Sequence, residues 1–322
     1  MLYELLISSK IRLAISIIKS TFHPKLPSAI SANFYTKLGY AAIIHRKQKT
    51  AKKHFEKALA KAQSSSNEQV IFSVNLALSI MYFFDCDYKQ CKNQLLLCEQ
   101  NEEYAGQEKA HFFNTKSLYY LYTGDFERSM TYSDKCIEEC SPEKLSIGKE
   151  LFLCTALQLK GVAFLSKNDV DNAKKYCERS LYIANRSGYS RCVRLSKAYL
   201  AGVCAYRKEL DLAIKLTDES LKGVEDNDIS VPTLICAAIC VNRIADNISQ
   251  TLELHEKLTT ICTTPSAPVT FSLYQLLLLY QQQQDHSNIA KTQEKITESL
   301  NVLGLNYWNN IFLTMISKGR MR

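Results

Sequence analysis

Small side chains return to a fixed place in this chain about every forty residues, and that spacing limits the possible folds more than any other feature. In the stretch NFYTKLGYAAIIHRKQKTAKKHFEKAL, Tyr35 precedes Leu38-Gly39, and Ala51, Phe55 and Ala58 follow as A-x3-F-x2-A. The register recurs at Ser79, Cys91 and Cys98, then at Ser117, Ser129 and Cys136. It continues at Gly161, Ala173 and Ser180, and at Ala201, Ala213 and Ser220. Weaker copies align on Thr251 and Ala290, where bulky Ile239 and Leu278 take the first small position. Anchored on residues 51, 91, 129, 173, 213, 251 and 290, the intervals are 40, 38, 44, 40, 38 and 39. A unit of this length holds two amphipathic helices that cannot bury their apolar faces alone, so neighbouring units must stack. Small residues let the helices approach closely, and the large apolar ones fill the space between.

This pattern resembles the tetratricopeptide repeat (TPR). There an aromatic and Leu-Gly lie on the first helix of a pair, and Ala-x3-Phe-x2-Ala lies on the second. The resemblance covers residues 30–303 and implies an all-α, right-handed superhelical solenoid of about seven antiparallel helix pairs. A standard unit has about 34 residues, so a mean near forty predicts longer helices or longer links. Residues 1–22 read as a separate amphipathic helix ahead of Pro24 and Pro27. Residues 304–322 read as a capping helix carrying the only Trp, Trp308, followed by a basic tail.

Composition agrees with helices throughout. Ten Gly and six Pro are too few for the turns of an all-β chain of 322 residues. The apolar, uncharged run Val70 to Phe84 falls short of the roughly 20 residues that cross a bilayer. Glu4, Lys10 and Arg12 break up the apolar N-terminus, so it does not read as a signal peptide, and the chain reads as intracellular, cytoplasmic or nuclear. In that compartment the twelve Cys are expected as reduced, buried thiols standing in for alanine.

Catalytic patterns are missing from the sequence. No glycine-rich phosphate loop or G-x-S-x-G occurs, and the closest two glycines, Gly148 and Gly161, are thirteen residues apart. Neighbouring acids such as Glu102-Glu103 point to different sides of a helix and suit solvent. Cys136-x3-Cys140 and Cys236-x3-Cys240 put thiol pairs on single helix faces, but they lie far apart and have no His nearby. No metal or cofactor is expected, and the chain reads as a non-enzyme.

Function is therefore expected at binding surfaces. The net charge of +8 is concentrated: Arg46, Lys47, Lys49, Lys52, Lys53, Lys57 and Lys61 face Glu56 alone. That stretch is a basic patch suited to an acidic protein surface, and it lacks the interleaved aromatics of a nucleic-acid site. The TPR resemblance implies that first-helix residues line a concave groove. By register these include Tyr40, Phe83, His111, Asn114, Leu118, Tyr122, Gln158, Tyr199 and Tyr206. Tyrosines bury area and keep a polar tip, and Asn114 and Gln158 can pair with a ligand backbone. Chaperone-binding TPR domains carry a Lys and Asn clamp for a terminal carboxylate. The corresponding positions here, Thr36, Tyr40, Asn114, Leu118 and Gln158, do not form one.

Two functions follow from the resemblance. The first is a scaffold or adaptor subunit of a larger complex, homo- or hetero-oligomeric, binding a partner peptide or helix; the first sixty residues are similar in hydrophobic pattern to TPR subunits of the anaphase-promoting complex. The second is a sensing module, because forty-residue pairs are similar to those of Rap-type and maltose-type bacterial regulators. Neither a membrane nor direct nucleic-acid contact is expected.

Overall fold

The computed structural model describes residues 26–140 and 148–305. The expected helix over 1–22, Trp308 with the rest of its helix, and the basic tail lie outside the described residues. Among those described, fourteen α-helices form seven consecutive pairs, with no strand. The pairs are α1 (Ser28–Ile44) with α2 (Gln48–Ser65), α3 (Glu68–Phe84) with α4 (Tyr88–Gln100), and α5 (Lys109–Thr123) with α6 (Phe126–Glu139). Then come α7 (Lys149–Ser166) with α8 (Val170–Ser187), and α9 (Ser190–Tyr206) with α10 (Leu210–Leu221). The last are α11 (Val231–Ile244) with α12 (Ile248–Ile261), and α13 (Ala267–Gln282) with α14 (His286–Leu303). No described helix is long and apolar enough to cross a membrane.

Local chemistry sets the boundaries. Second helices α4, α6, α8, α12 and α14 start behind Asp87, Asp125, Asp169, Asn247 and Asp285, whose side chains accept a backbone N–H three residues on. Helices α11 and α13 carry Pro in their first turn, where a missing N–H costs nothing. Gly188 and Gly304 end α8 and α14 in the left-handed region.

The small-residue register is the packing. Ala51, Cys91, Ser129, Ala173, Ala213 and Thr251 are all fully buried. The seventh anchor is a correction: Ala290 is exposed. Ile289 takes the position four residues after the capping acid and packs against the main core cluster. First helices bury several faces and second helices only one. Nine residues of α3 and nine of α11 are buried, against four of α4 and three of α12. The first helices thus form the inner layer.

The array curls until the first pair meets the sixth. Ile229 N–H, just before α11, donates to Ile44 O at the end of α1 (3.1 Å). Arg46 Nη2 donates to Ile261 O (2.9 Å) and contacts Cys262 Sγ (3.4 Å) at the end of α12. One core cluster joins Phe72, Phe112 and Cys136 to Leu273, Leu277 and Ile296 of the last pair.

Candidate partner-binding interior

The inner helices bring most of the expected groove residues together, but in a tighter space than an open groove. At one end, Tyr40 packs edge-on to Phe55 (5.6 Å) and its ring lies 6.1 Å from that of His111. His111 stacks on Phe152 (4.8 Å), and its Nδ1 lies 3.1 Å from Glu108 Oε2. Burial pulls the Lys37 ammonium below its ordinary pKa, and the charge of Glu108 offsets part of this. Burial alone would raise Glu108, but the hydrogen bond and charge of His111, helped by Lys37, hold its carboxyl below the usual range. A half-solvated acid with an ammonium and an imidazole beside it is thus built into the inner wall.

Further along, Asn114 Oδ1 accepts from Thr155 Oγ1 (3.0 Å), joining α5 to α7. Leu118 and Tyr122 are half-buried, and the Tyr122 ring meets Phe83 edge-on at 4.9 Å. Burial, with the Cys236 thiol adding to it, pushes the Tyr122 phenol up to about 12, and a hydrogen bond with Thr233 opposes the rise. Thr233 and Cys236 belong to α11, so α5 faces α11 across the interior. Burial also raises the Tyr199 phenol well above its ordinary value, with Tyr122 the next contributor. Tyr206, beside Cys240, is 46% exposed at the mouth.

Two expected groove residues are corrected. Gln158 is 2% exposed, and its Nε2 donates to Ser196 Oγ (2.9 Å) and Cys192 O (3.2 Å). Its amide is consumed in the contact between α7 and α9. Phe83 is 6% exposed within the main core cluster. The basic patch is divided as well: Lys47, Lys49, Lys52 and Lys53 are exposed, whereas Arg46 turns to the sixth pair. Lys37, Glu108, Phe152, Thr155 and Thr233 join the interior without having been singled out, and Cys236 was weighed only as half of a thiol pair. The signal for Lys37 and Glu108 was charge on or beside an inner helix that is otherwise apolar.

All twelve cysteines are free thiols. Cys136 Sγ donates to Ala110 O (3.2 Å) within the third pair, and Cys236 Sγ donates to Pro268 O (3.3 Å), tying the sixth pair to the seventh. Among the described residues no three His, Cys, Asp or Glu side chains gather as a metal site.

The tetratricopeptide-repeat family model matches residues 155–186, which span α7 and α8 and include Gly161, Ala173 and Ser180. The chain is a TPR-like solenoid. Solved TPR-like structures share its whole path. A Rap protein complexed with competence and sporulation factor is 10% identical, with a TM-score of 0.65 covering 98% of this chain and 95% of that one. NprR in complex with its cognate peptide NprX is 12% identical, with a TM-score of 0.65 and the same coverage of 98% and 95%. The Rap conjugation gene regulator of plasmid pLS20, in complex with the Phr* peptide, is 13% identical, with a TM-score of 0.60 over 85% of this chain and 86% of that one. No curated protein matches the chain. At these identities the shared feature of the TPR-like solenoid is its fold.

Proposed function

We propose that this TPR-like solenoid is a non-catalytic interaction module that holds a short segment of a partner protein, or a free peptide, inside its curl. The observation that carries the reading is the convergence of half-buried polar groups from separate pairs. Asn114 commits only its Oδ1, to Thr155, so its amide hydrogens have no acceptor among the described residues. Tyr122 and Tyr199 are strongly desolvated yet still in contact with solvent. Such groups are poised for the carbonyls and N–H groups of an extended chain, and the aromatic walls supply area. The likeness to solenoids solved with peptides supports this use of the interior.

The leading role is that of a scaffold or adaptor in the cytoplasm or nucleus. A sensing role is favoured by one further observation, the contact of the first pair with the sixth. A segment held within the curl would be coupled to that contact, and so to the overall shape.

A photo-crosslinking amino acid in place of Tyr206, in the full chain expressed in its own cells, tests the reading by mass spectrometry of the adducts. Adducts with one recurring peptide or protein segment are expected. Combining Asn114→Ala with Tyr199→Phe should cut the yield about tenfold, a loss of about 1.4 kcal/mol, with unchanged helicity. No adduct, or the same adduct from an outer-face position such as Tyr182, would reject the interior as the site.

A further inference from the structure

The outer surface of the first two pairs departs from the rest of the array in two independent ways. The first is unpaired charge. Lys47, Lys49, Lys52, Lys53, Lys57 and Lys61 are all exposed. Elsewhere many lysines bridge neighbouring segments: Lys116 to Glu99 (2.7 Å), Lys160 to Asp134, Lys174 to Glu209 (2.9 Å), Lys197 to Glu219 (2.7 Å) and Lys257 to Asp226 (3.1 Å). Those without an ion pair, such as Lys175 and Lys208, are not gathered in such number on one helix. Among the described residues no ion pair engages those six lysines. The charge of Lys52 opposes the rise that burial causes in the Asp85 carboxyl.

The second departure is apolar. The fifth and sixth residues after each anchor fall on the outer helices, and six of the seven helices place two charged residues there. These are Glu56-Lys57, Asp134-Lys135, Glu178-Arg179, Asp218-Glu219, Glu256-Lys257 and, counted from Ile289, Glu294-Lys295. On α4 alone the two residues are Leu96 and Leu97, 43% and 42% exposed. Lys89 and Lys92, also exposed, flank them on the same helix. The leucine pair thus lies one repeat along from Glu56-Lys57, at the equivalent place on the next outer helix.

We infer that the outer face of α2 and α4 docks an acidic amphipathic segment of another protein, with its carboxylates on the lysines and its apolar stripe on Leu96 and Leu97. Unpaired cations with an apolar pair on the next outer helix match that chemistry. A nucleic acid would call for arginine forks, and the exposed cations of α2 are all lysines. The rings beside them, Tyr35 and His54, stack on each other under Lys57 and are already engaged. An anionic membrane would call for a broad apolar face on the basic helix itself, and the apolar positions of α2, Ala51, Phe55, Ala58 and Ala62, are buried inside the pair. This surface lies outside the curl and does not depend on what the interior holds.

The test uses the full chain and fluorescence anisotropy of a labelled helical peptide made of glutamates with a leucine stripe. Parallel probes are single-stranded DNA and phosphatidylserine vesicles. Saturable peptide binding is expected, weakened about tenfold or more as salt rises from about 0.05 to 0.3 M. The triple variant Lys52→Glu, Lys53→Glu, Lys57→Glu should abolish it. Leu96→Ser with Leu97→Ser should weaken it about tenfold at unchanged helicity, and Asn114→Ala should leave it alone. The inference is overturned if the peptide does not bind or if binding survives the charge reversal. It also fails if DNA or vesicles bind as tightly and are lost with the same variants.

Discussion

Six of the seven pairs turn on three residues with the middle one left-handed, and the third pair turns on two with the first left-handed. The φ values are 56° at Arg46, 59° at Cys86, 89° at Gly124, 62° at Asn168, 65° at Lys208, 61° at Asp246 and 58° at Gln284. Glycine takes this conformation freely, whereas a Cβ costs about 1–2 kcal/mol. Only the third pair uses glycine there. Lys208 is exposed, and its own side chain makes no hydrogen bond or ion pair among the described residues. Lys208→Gly is therefore expected to stabilise the array by about 0.5–1 kcal/mol, once the extra freedom of glycine in the unfolded chain is subtracted. A rise in the urea midpoint at constant slope is the measurement, and a fall would show that the turn bears no strain. The opposite case is Gly39, where a Cβ would lie 2.4 Å from Phe55 Cε1. Phe55 is fully buried and has no room to retreat. Gly39→Ala should cost about 1–3 kcal/mol by overpacking. Adding Phe55→Leu should recover part of that loss, so a strictly additive double-mutant cycle would disprove the contact.

At the scale of the helix, capping and ion pairs join each unit to the next. Glu209 precedes α10, where most second helices have a capping Asp or Asn. Its carboxylate instead binds Lys174 of α8 at 2.9 Å and Arg207 at 2.9 Å. Hydrogen bonds from Lys174 and then Arg207 hold its pKa at about 2, below its ordinary 4.5. A depressed carboxyl contributes stability in full above its unfolded value, and the contribution is lost as pH falls from there through the folded value. Stability should decline between about pH 4.5 and pH 2, and Glu209→Gln should flatten that part of the profile in thermal melts. An unchanged profile would mean that the bridge does not form in solution. The same helix-scale signals decide what could be read in advance. Ala51, Cys91 and Ala173 were legible because close packing demands a small residue at a fixed offset. The seventh anchor was missed because Ile289 is bulky, although Asp285 stands four residues ahead of it, as Asp87 does of Cys91 and Asp169 of Ala173. Gln158 and Phe83 were placed in the groove by helical period alone. Period tells which residues share a face, but curvature decides whether that face meets a neighbour or a cavity.

That curvature is a property of the whole molecule, accumulated over the six small rotations between pairs, and no local spacing encodes it. Its sign in the structure is the meeting of residues more than two hundred positions apart. Arg46 Nη2 donates to Ile261 O, one of the carbonyls left without an intrahelical partner at the end of α12. A guanidinium there also complements the negative end of the helix. The reciprocal bond from Ile229 N–H to Ile44 O closes the same seam from the other side. In an ordinary solenoid each unit touches only its neighbours, so removing one surface arginine changes little beyond its own repeat. Here Arg46→Ala should release the first pair from the sixth. The radius of gyration from small-angle scattering should rise, hydrogen exchange at the Ile229 amide should quicken, and stability should fall by about 1–3 kcal/mol, the range for a charge-assisted hydrogen bond. Arg46→Lys keeps the charge but loses the planar fork, so it should give a partial effect. If scattering and Ile229 exchange both stay at their original values in Arg46→Ala, the seam does not hold the curl, and the interior walls must be kept together by the apolar cluster that joins Phe72 and Phe112 to Leu273 and Leu277.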